Sequence, residues 1–249
     1  MHSIRYRITS LSPLLFSSNT GDPNMLSTFD YIPATYLRGM FVREYIKRKG
    51  LGREAHRDEK FYNYFLKGEI KITNAYIVQK KFHQFHRLLP TPLSIQREKN
   101  NEEKLYDLLL VDEEFDKQTK AVTGYGRLEG EVFYKKEVKK SLNFHHSRDR
   151  QRGVSKEGQI FNYESIDEGQ IFEGFIIGKE EALEDFKNYI PEGIYYIGRS
   201  KNNQYGKVKF EILNQKPEEF PSEIKPIEKG GDRVILTLLS LSLIHISEP

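Results

Sequence analysis

The chain opens on a strict alternation. In "SIRYRITSLSPLLF", Ile4, Tyr6 and Ile8 are apolar while Arg5, Arg7 and Thr9 are polar. Period two predicts a strand with one buried face. "SSNTGDPN" follows as a loop, with Gly21 and Pro23 as its turn residues. From Thr35 the period becomes helical: Leu37, Met40, Phe41, Tyr45 and Ile46 share one face, and Gly50 stands where such a helix would stop. "EIKITNAYIV", Glu69 to Val78, predicts a second strand. Periodicity weakens from 82 to 155, a stretch holding "LLPTPL", the acidic "EKLYDLLLVDEEFD" and "TGYGRLEGE", and reads as a loop-rich insertion. Regularity returns in "GQIFNYESIDEGQIFEGFIIG", two strands flanking a turn at Asp167–Gly169, which predicts a hairpin. "KEEALEDFKNYI" predicts a short helix burying Leu183, Phe186 and Ile190. "GIYYIGRSKNNQYGKVKFEIL" predicts a strand, a Gly- and Asn-rich turn and another strand.

The order is strand, helix, strand, insertion, strand, helix, strand. That βαββαβ pattern predicts an α+β chain with a ferredoxin-like, RRM-type domain over 1–213, expanded by an insertion at about 82–155. Residues 214–231, "NQKPEEFPSEIKPIEKGG", read as a Pro-rich, charged linker. "DRVILTLLS", 232–240, echoes the first strand and reads as the truncated start of a second domain. The tail 241–249, "LSLIHISEP", matches one reading frame of a transposase adapter used in preparing sequencing libraries, so the open reading frame is expected to run into adapter at about Leu241; a genuine closing strand is the competing account. Amplification of the locus from source DNA tests this, and a genomic sequence encoding the same nine residues refutes it.

Composition narrows the chemistry. With no cysteine among 249 residues there is no disulfide, thiolate metal site or cysteine nucleophile, which fits a reducing cytoplasm. A net charge of +3 does not by itself predict nucleic-acid binding, so the placement of the cations matters more. "MHSIRYRITS" lacks a signal-peptide core. The longest apolar run, Val234 to Ile246, falls short of the roughly 18 residues of a membrane span and is broken by Thr237, Ser240, Ser242 and His245. No membrane partner is expected.

Three stretches could carry function. In "FDYIPATYLRGMFVREYI", Pro33 forces Ile32 extended and releases the chain into a helix, with Arg38 near its start and Gly39 open to close approach. The plain alternative is a strand-to-helix junction with a solvated arginine. In "IGRSKNNQYGKVKFEI", Gly198 and Gly206 bracket a turn carrying Arg199 and Lys201, which offers backbone N–H groups and cations to phosphates. A long hairpin loop is the plain alternative. In "NFHHSRDRQRGVSKEGQIFNYESIDEGQIFEG", His145, His146, Arg148, Arg150 and Arg152 precede Phe161, Tyr163 and Phe172. Cations beside aromatics suit phosphate contact with base stacking, and a solvated charged loop is the alternative. His83 and His86 are discounted as partners of His145 and His146 around a metal, because no cysteine or suitably spaced carboxylate accompanies them. The acids at Asp112–Asp116 read as solvated surface, and "GYGRLEG" lacks the strand-to-helix context of a nucleotide loop.

"DYIPATYLRGMF" resembles the "IPGSxLRGxx" segment of the RAMP superfamily of CRISPR effector subunits, with Ala34-Thr35 standing where most members carry Gly-Ser. "IGRSKNNQYGKVKFEI" resembles the superfamily's glycine-rich loop. "HxSRDRxxGxSxxGxxFxYExIxxGQxFxG" looks like the Csx10 family, the Cas5-like subunit of type III-D effector complexes. The resemblance implies an RNA-binding structural subunit without a cofactor or metal, holding the repeat-derived 5′ end of guide RNA. Its implied partners are other RAMP subunits, a Cas10-like large subunit and, in the assembled complex, target RNA. It implies RNA contacts at Arg38, Gly39, Arg148, Arg150, Arg152, Gly198, Arg199, Lys201 and Gly206, with Tyr205 or Tyr163 stacking. The alternative within the superfamily is an endoribonuclease using Asp22, or His145 or His146 as general acid or base, with Asp30 the less well placed aspartate. An interaction scaffold with no RNA role is the third class.

Overall fold

The computed structural model describes residues 1–18, 25–81, 83–108, 117–129, 132–148, 155–201 and 204–220. Asp22, Arg150, Arg152, most of the linker, the strand expected at 232–240 and the tail lie outside the described residues. The chain divides into two compact units. One comprises Met1–Tyr76 with the chain from Lys139 onward; the other is Ile77–Val138.

The first unit is built on strand β1 (His2–Ser10), whose alternation is realised in full: Ile4, Tyr6 and Ile8 are completely buried. The chain then runs through β2 (Met25–Thr28), helix α1 (Ala34–Lys49) and the short β3 (Lys71–Ile72). After the second unit come β4 (Lys140–Arg148), β5 (Ser155–Ile166), β6 (Ile171–Gly178), helix α2 (Glu180–Lys187), β7 (Gly193–Tyr196) and β8 (Lys207–Ile212). The main sheet runs β7–β8–β1–β6, with β3 on the far side of β6, every pair antiparallel. Leaving aside the edge strand β7, that is the ferredoxin-like order of fourth, first, third and second strand. The α+β class and the ferredoxin-like pattern expected from the sequence are therefore observed.

Helix α1 starts and stops for local reasons. Pro33 holds the extended geometry that precedes a helix, and the Ala34 N–H donates to Asn74 Oδ1 at 2.8 Å. At the other end Gly50 takes the left-handed conformation at φ 64, while the Leu51 N–H reaches back to Ile46 O at 2.9 Å, closing a Schellman turn. Both helices pack on one face of the sheet through aromatics. Phe41 of α1 meets Tyr6, Phe186 and Phe210 at centroid separations of 6.5, 5.9 and 5.4 Å, each edge to face. Tyr6 fits because its cross-strand neighbour is Gly174: a Cβ there would lie 2.4 Å from Tyr6 Oη, which donates to Thr73 O at 2.8 Å. On the opposite face Arg5 and Arg7 both bind the fully buried Glu173, one guanidinium on each carboxylate oxygen, at 2.5 and 2.6 Å.

The structure departs from the sequence pattern in three places. The expected hairpin around Asp167–Gly169 does not form, because β5 and β6 enter different sheets. β5 pairs with β4 antiparallel and with β2 parallel, whereas β6 pairs with β1 and β3. The turn is held as a sheet-switching corner by Gly169 N–H donating to Ser10 O at 2.8 Å and by Gln170, whose side chain grips both N–H and C=O of Lys139 at 2.9 and 2.8 Å. The single strand expected over Glu69–Val78 breaks at Thr73–Ala75, where Asn74 turns to cap α1, leaving Lys71–Ile72 and Tyr76–Lys81. A helical stretch from Ala55 to Leu66 was not anticipated: a 3-10 turn, a helical turn and a π turn in succession. It seats Phe61, Tyr64 and Phe65 around Tyr45.

The second unit carries short antiparallel strands where weak periodicity suggested loops. Ile95–Glu98 lies between Thr119–Ala121 and Asn101–Asp107, and Tyr125–Glu129 lies between Leu89–Pro90 and Val132–Lys136. The shortest strands cannot declare a period, and the longer ones, such as NEEKLYD and VFYKK, do not alternate apolar with polar residues. The unit is narrower than the insertion expected at about 82–155, since β4 and β5 count with the first unit. His86 stacks flat on Tyr134 at 4.8 Å, and His83 sits exposed at a positive φ of 65.

Two carboxylates tie the unanticipated helical stretch to α1 and α2. Asp58 caps that stretch, accepting the Phe61 N–H at 2.8 Å, and pairs with Lys49 at 2.9 Å. Asp185 accepts from Tyr64 Oη at 2.6 Å and from Lys60 at 2.7 Å. Burial pushes both carboxyls up, but the Lys49 and Phe61 donors outweigh it at Asp58, and Lys60 with Tyr64 outweigh it at Asp185, so both are held below the ordinary carboxylate value. Burial also raises the Tyr45 phenol to about 12. A carboxyl whose pKa is depressed on folding stabilises the fold above its unfolded pKa and loses that contribution as pH falls. Urea midpoints should therefore drop as pH falls below about 4, near the unperturbed carboxyl value. Asp58→Asn with Asp185→Asn should flatten that acid limb, and Asp58→Ala should cost about 1 kcal/mol at pH 7 through loss of the cap. An acid limb unchanged in the double variant would contradict this assignment.

Candidate nucleic-acid interface

The residues singled out in the sequence lie on three separated stretches, and Pro13–Phe16, the segment leaving β1, joins them. Pro13 O accepts the Gly206 N–H and Leu15 O accepts the Arg199 N–H, both at 2.9 Å, so the glycine loop between β7 and β8 is fastened at two points. Leu14 and Ile166 exchange main-chain hydrogen bonds at 2.9 and 2.8 Å, which docks the end of β5. Phe16 O accepts the Phe29 N–H at 3.1 Å, and the Phe16 ring meets Tyr36 in the first turn of α1 at 5.0 Å. The Phe16 N–H donates to the buried Thr28 Oγ1 at 3.0 Å. β5 continues beside β2 with Tyr163 opposite Leu26, and Glu164 Oε2 accepts the Thr28 N–H at 3.1 Å. The helix junction, the glycine loop and the Ile166 end of the β4–β5 ribbon thus meet around one buried segment, whereas Arg148, opposite Ser155, lies at the ribbon's other end.

The individual residues differ in what they present. Arg199 is exposed and Lys201 half-buried, and among the described residues neither has a carboxylate partner. Arg38 is exposed at the first turns of α1, and its Nη2 donates to Phe65 O. Gly39 is exposed on the same helix with open space beside it. His145, His146 and Arg148 lie on β4, a strand where the sequence suggested a loop, with backbones opposite Phe161, Ile160 and Ser155. Tyr163 is half-buried on β5. Tyr205 is 2% exposed, so its ring offers no face to a base in this conformation. Proximity to Gly206 singled it out in the sequence, and proximity says nothing about direction.

Groups that sequence reasoning passed over are the exposed Arg43 on α1 and Tyr196 on β7, and the half-buried Lys207 at the start of β8. The signal for Tyr196 was present: in "GIYYI" the buried Tyr195 pairs with Val208, so its neighbour must face the other way. Among the described residues no group of three or more His, Asp or Glu side chains is arranged to hold a metal, and no helix is long and apolar enough to cross a membrane.

No protein-family model matches the chain, and neither does any curated protein sequence. Solved structures do match. A chain in the cryo-EM structure of the type III-B Cmr-beta apo state is 12% identical with a TM-score of 0.50, over 86% of this chain and 98% of that one. A chain in type III-B Cmr-beta bound to cognate target RNA is 13% identical with a TM-score of 0.51, over 84% and 96%. At such identity the likeness is one of fold.

Two kinds of glycine occur in the candidate interface. Gly206 has φ 86, and a Cβ there would lie 2.2 Å from Ile197 O, whose residue closes the loop through its own N–H to Gly206 O at 2.9 Å. Gly198 has φ 82, with Leu15 O 2.7 Å from its would-be Cβ. Both glycines are required by the loop. Gly39 sits mid-helix with nothing within 4 Å, so the fold does not require it. Gly206→Ala should destabilise by about 1–3 kcal/mol through backbone strain and displacement of Ile197. Gly39→Ala should stabilise by about 1 kcal/mol through helix propensity. Thermal and urea melts of the two variants check this, and a stable Gly206→Ala would contradict the loop geometry.

Proposed function

We propose that this chain is an RNA-binding structural subunit of a CRISPR type III effector ribonucleoprotein, holding guide RNA by its repeat-derived 5′ end. The observation that carries the reading is the convergence of all three sequence stretches on Pro13–Phe16. It is joined by a fold shared with a chain of an assembly bound to cognate target RNA. In this reading the chemistry is positional. Cations without carboxylate partners neutralise phosphates, and the fastened glycine loop brings main-chain N–H groups close to the backbone of the strand. The finer assignment is the Csx10 type in a type III-D complex, with other RAMP subunits and a Cas10-like subunit as neighbours. It rests on the "HxSRDRxxGxS" stretch, of which only the ends, on β4 and β5, are described. The domain reading goes with it: a ferredoxin-like domain over 1–213 interrupted by an insertion, then the first strand of a second domain.

A fold-conserving Gly39→Ala that weakens RNA binding would separate ligand approach from stability at that position. The broader test is a salt titration of binding to repeat-derived single-stranded RNA. Log affinity should fall linearly with log salt, and Arg199→Gln and Lys201→Gln should each flatten the slope by about 0.7. Glu184→Gln on the exposed side of α2 should leave the slope unaltered. Binding weaker than about micromolar at low salt, or a slope insensitive to both cations, overturns the reading.

A further inference from the structure

β7 is the edge strand of the main sheet, hydrogen-bonded to β8 alone among the described residues. Its two tyrosines face opposite ways. Tyr195 points to the helix side, 7% exposed, with its hydroxyl donating to Pro191 O at 2.6 Å. Tyr196 points to the outer face and is 42% exposed, with Ile194 beside it on the same face at 57%. Their cross-strand partners on that face are Lys207 and Lys209. Lys209 is neutralised by Glu211 at 2.7 Å, but among the described residues no carboxylate pairs with Lys207, Arg199 or Arg43.

The position of this patch is what makes it informative. Gly198 follows Tyr196 by two residues and Lys207 directly follows Gly206, so the Tyr196–Lys207 pair closes the foot of the fastened glycine loop. The Tyr196 carbonyl accepts from Arg43 Nη2 at 3.5 Å, and its register to β8 is set by the buried Tyr195–Val208 pair. The backbone is therefore fixed while the ring stays out in solvent. An exposed aromatic ring on a fixed backbone, opposite Lys207 and three residues before Arg199, suits an unpaired nucleotide, which offers a π-surface flanked by phosphates.

We propose that Tyr196 is a stacking platform for an unpaired base of the RNA held at the glycine loop, with Lys207 and Arg199 on the flanking phosphates. The proposal rests on the RNA-binding reading above and adds the residue that meets a base. A protein strand added to the free edge of β7 would use the same strip. The edge is only four residues long; the carboxylate next to it in sequence, Glu192, accepts the Ile212 N–H at 2.7 Å, and Lys207, Arg199 and Arg43 outnumber it, which favours the polyanion.

The test uses the 249-residue chain, a fluorescent repeat-derived single-stranded RNA and a blunt duplex of the same sequence, with anisotropy read at several salt concentrations. Tyr196→Ala should weaken single-strand binding about tenfold at every salt concentration without changing the salt slope, because stacking releases no counterions. Tyr196→Phe should stay within about twofold of the original, since the ring is what stacks. Lys207→Gln should flatten the slope, and duplex affinity should not respond to Tyr196→Ala. The melting temperatures of both Tyr196 variants should match the parent, given the exposure of the side chain. If the parent binds with its salt slope but Tyr196→Ala binds equally well, the stacking proposal falls and the RNA reading stands. If Tyr196→Ala keeps RNA and loses a protein partner, the strip is a docking edge and the proposal also falls. If the parent itself does not bind, both fall together.

Discussion

The first unit depends on the main-chain hydrogen bonds of Pro13–Phe16. Leu14, Leu15 and Phe16 are wholly buried, so their polar backbone groups must find partners inside the protein. They find them on β5, on the glycine loop and on the segment leading into α1. Three of the contacts are distant in sequence, Leu14 with Ile166, Leu15 with Arg199 and Pro13 with Gly206, while Phe16 reaches Phe29 in the segment leading into α1. A buried strand exit that needs three distant partners forces those partners together. That is why a junction, a loop and a ribbon with no mutual sequence relation come to share one place.

The sheet supplies the rigidity behind that junction. Tyr6 crosses the space above Gly174 to reach Thr73, locking β1 to the segment that follows β3. Phe41 then meets residues from β1, β8 and α2 in one aromatic cluster. On the other face Glu173 takes a guanidinium on each oxygen. A fully buried carboxylate is tolerable there because two cations, both partly exposed, satisfy it. The faces are therefore chemically distinct: aromatic beneath the helices and charged on the outside. The outer face is also the side on which Tyr196 and Lys207 stand, so the side chains available to a polyanion follow from the same alternation that builds the core.

Several elements could be read from the sequence because their cause is local. The period-two run at Ile4, Tyr6 and Ile8, the helix from Ala34 to its glycine stop at Gly50, and the buried face Leu183, Phe186 and Ile190 are set within a few residues by side-chain periodicity and capping. The glycines of the loop were legible too, since φ near 82 and 86 has few other occupants. The failures share a different cause. Asp167–Gly169 has the composition of a hairpin turn, but the partners of β5 and β6 are chosen by Leu14 and Ser10, more than 150 residues upstream. Asn74 breaks a good strand pattern because the start of α1 needs a donor satisfied. Tyr205 neighbours a functional-looking glycine, and nothing local shows that its ring turns inward.

The sequence by itself determined the first strand, helices α1 and α2, the strands flanking the glycine loop, where the cations and glycines fall, and the βαββαβ order that makes the fold ferredoxin-like. Those properties depend on neighbours within one turn of helix or one strand period. Tertiary structure alone decided which strands pair, which tyrosine is buried and which exposed, and that three remote stretches converge on Pro13–Phe16. Such outcomes are set by the requirement that buried backbone groups be hydrogen-bonded, and the partners that meet it lie far away along the chain.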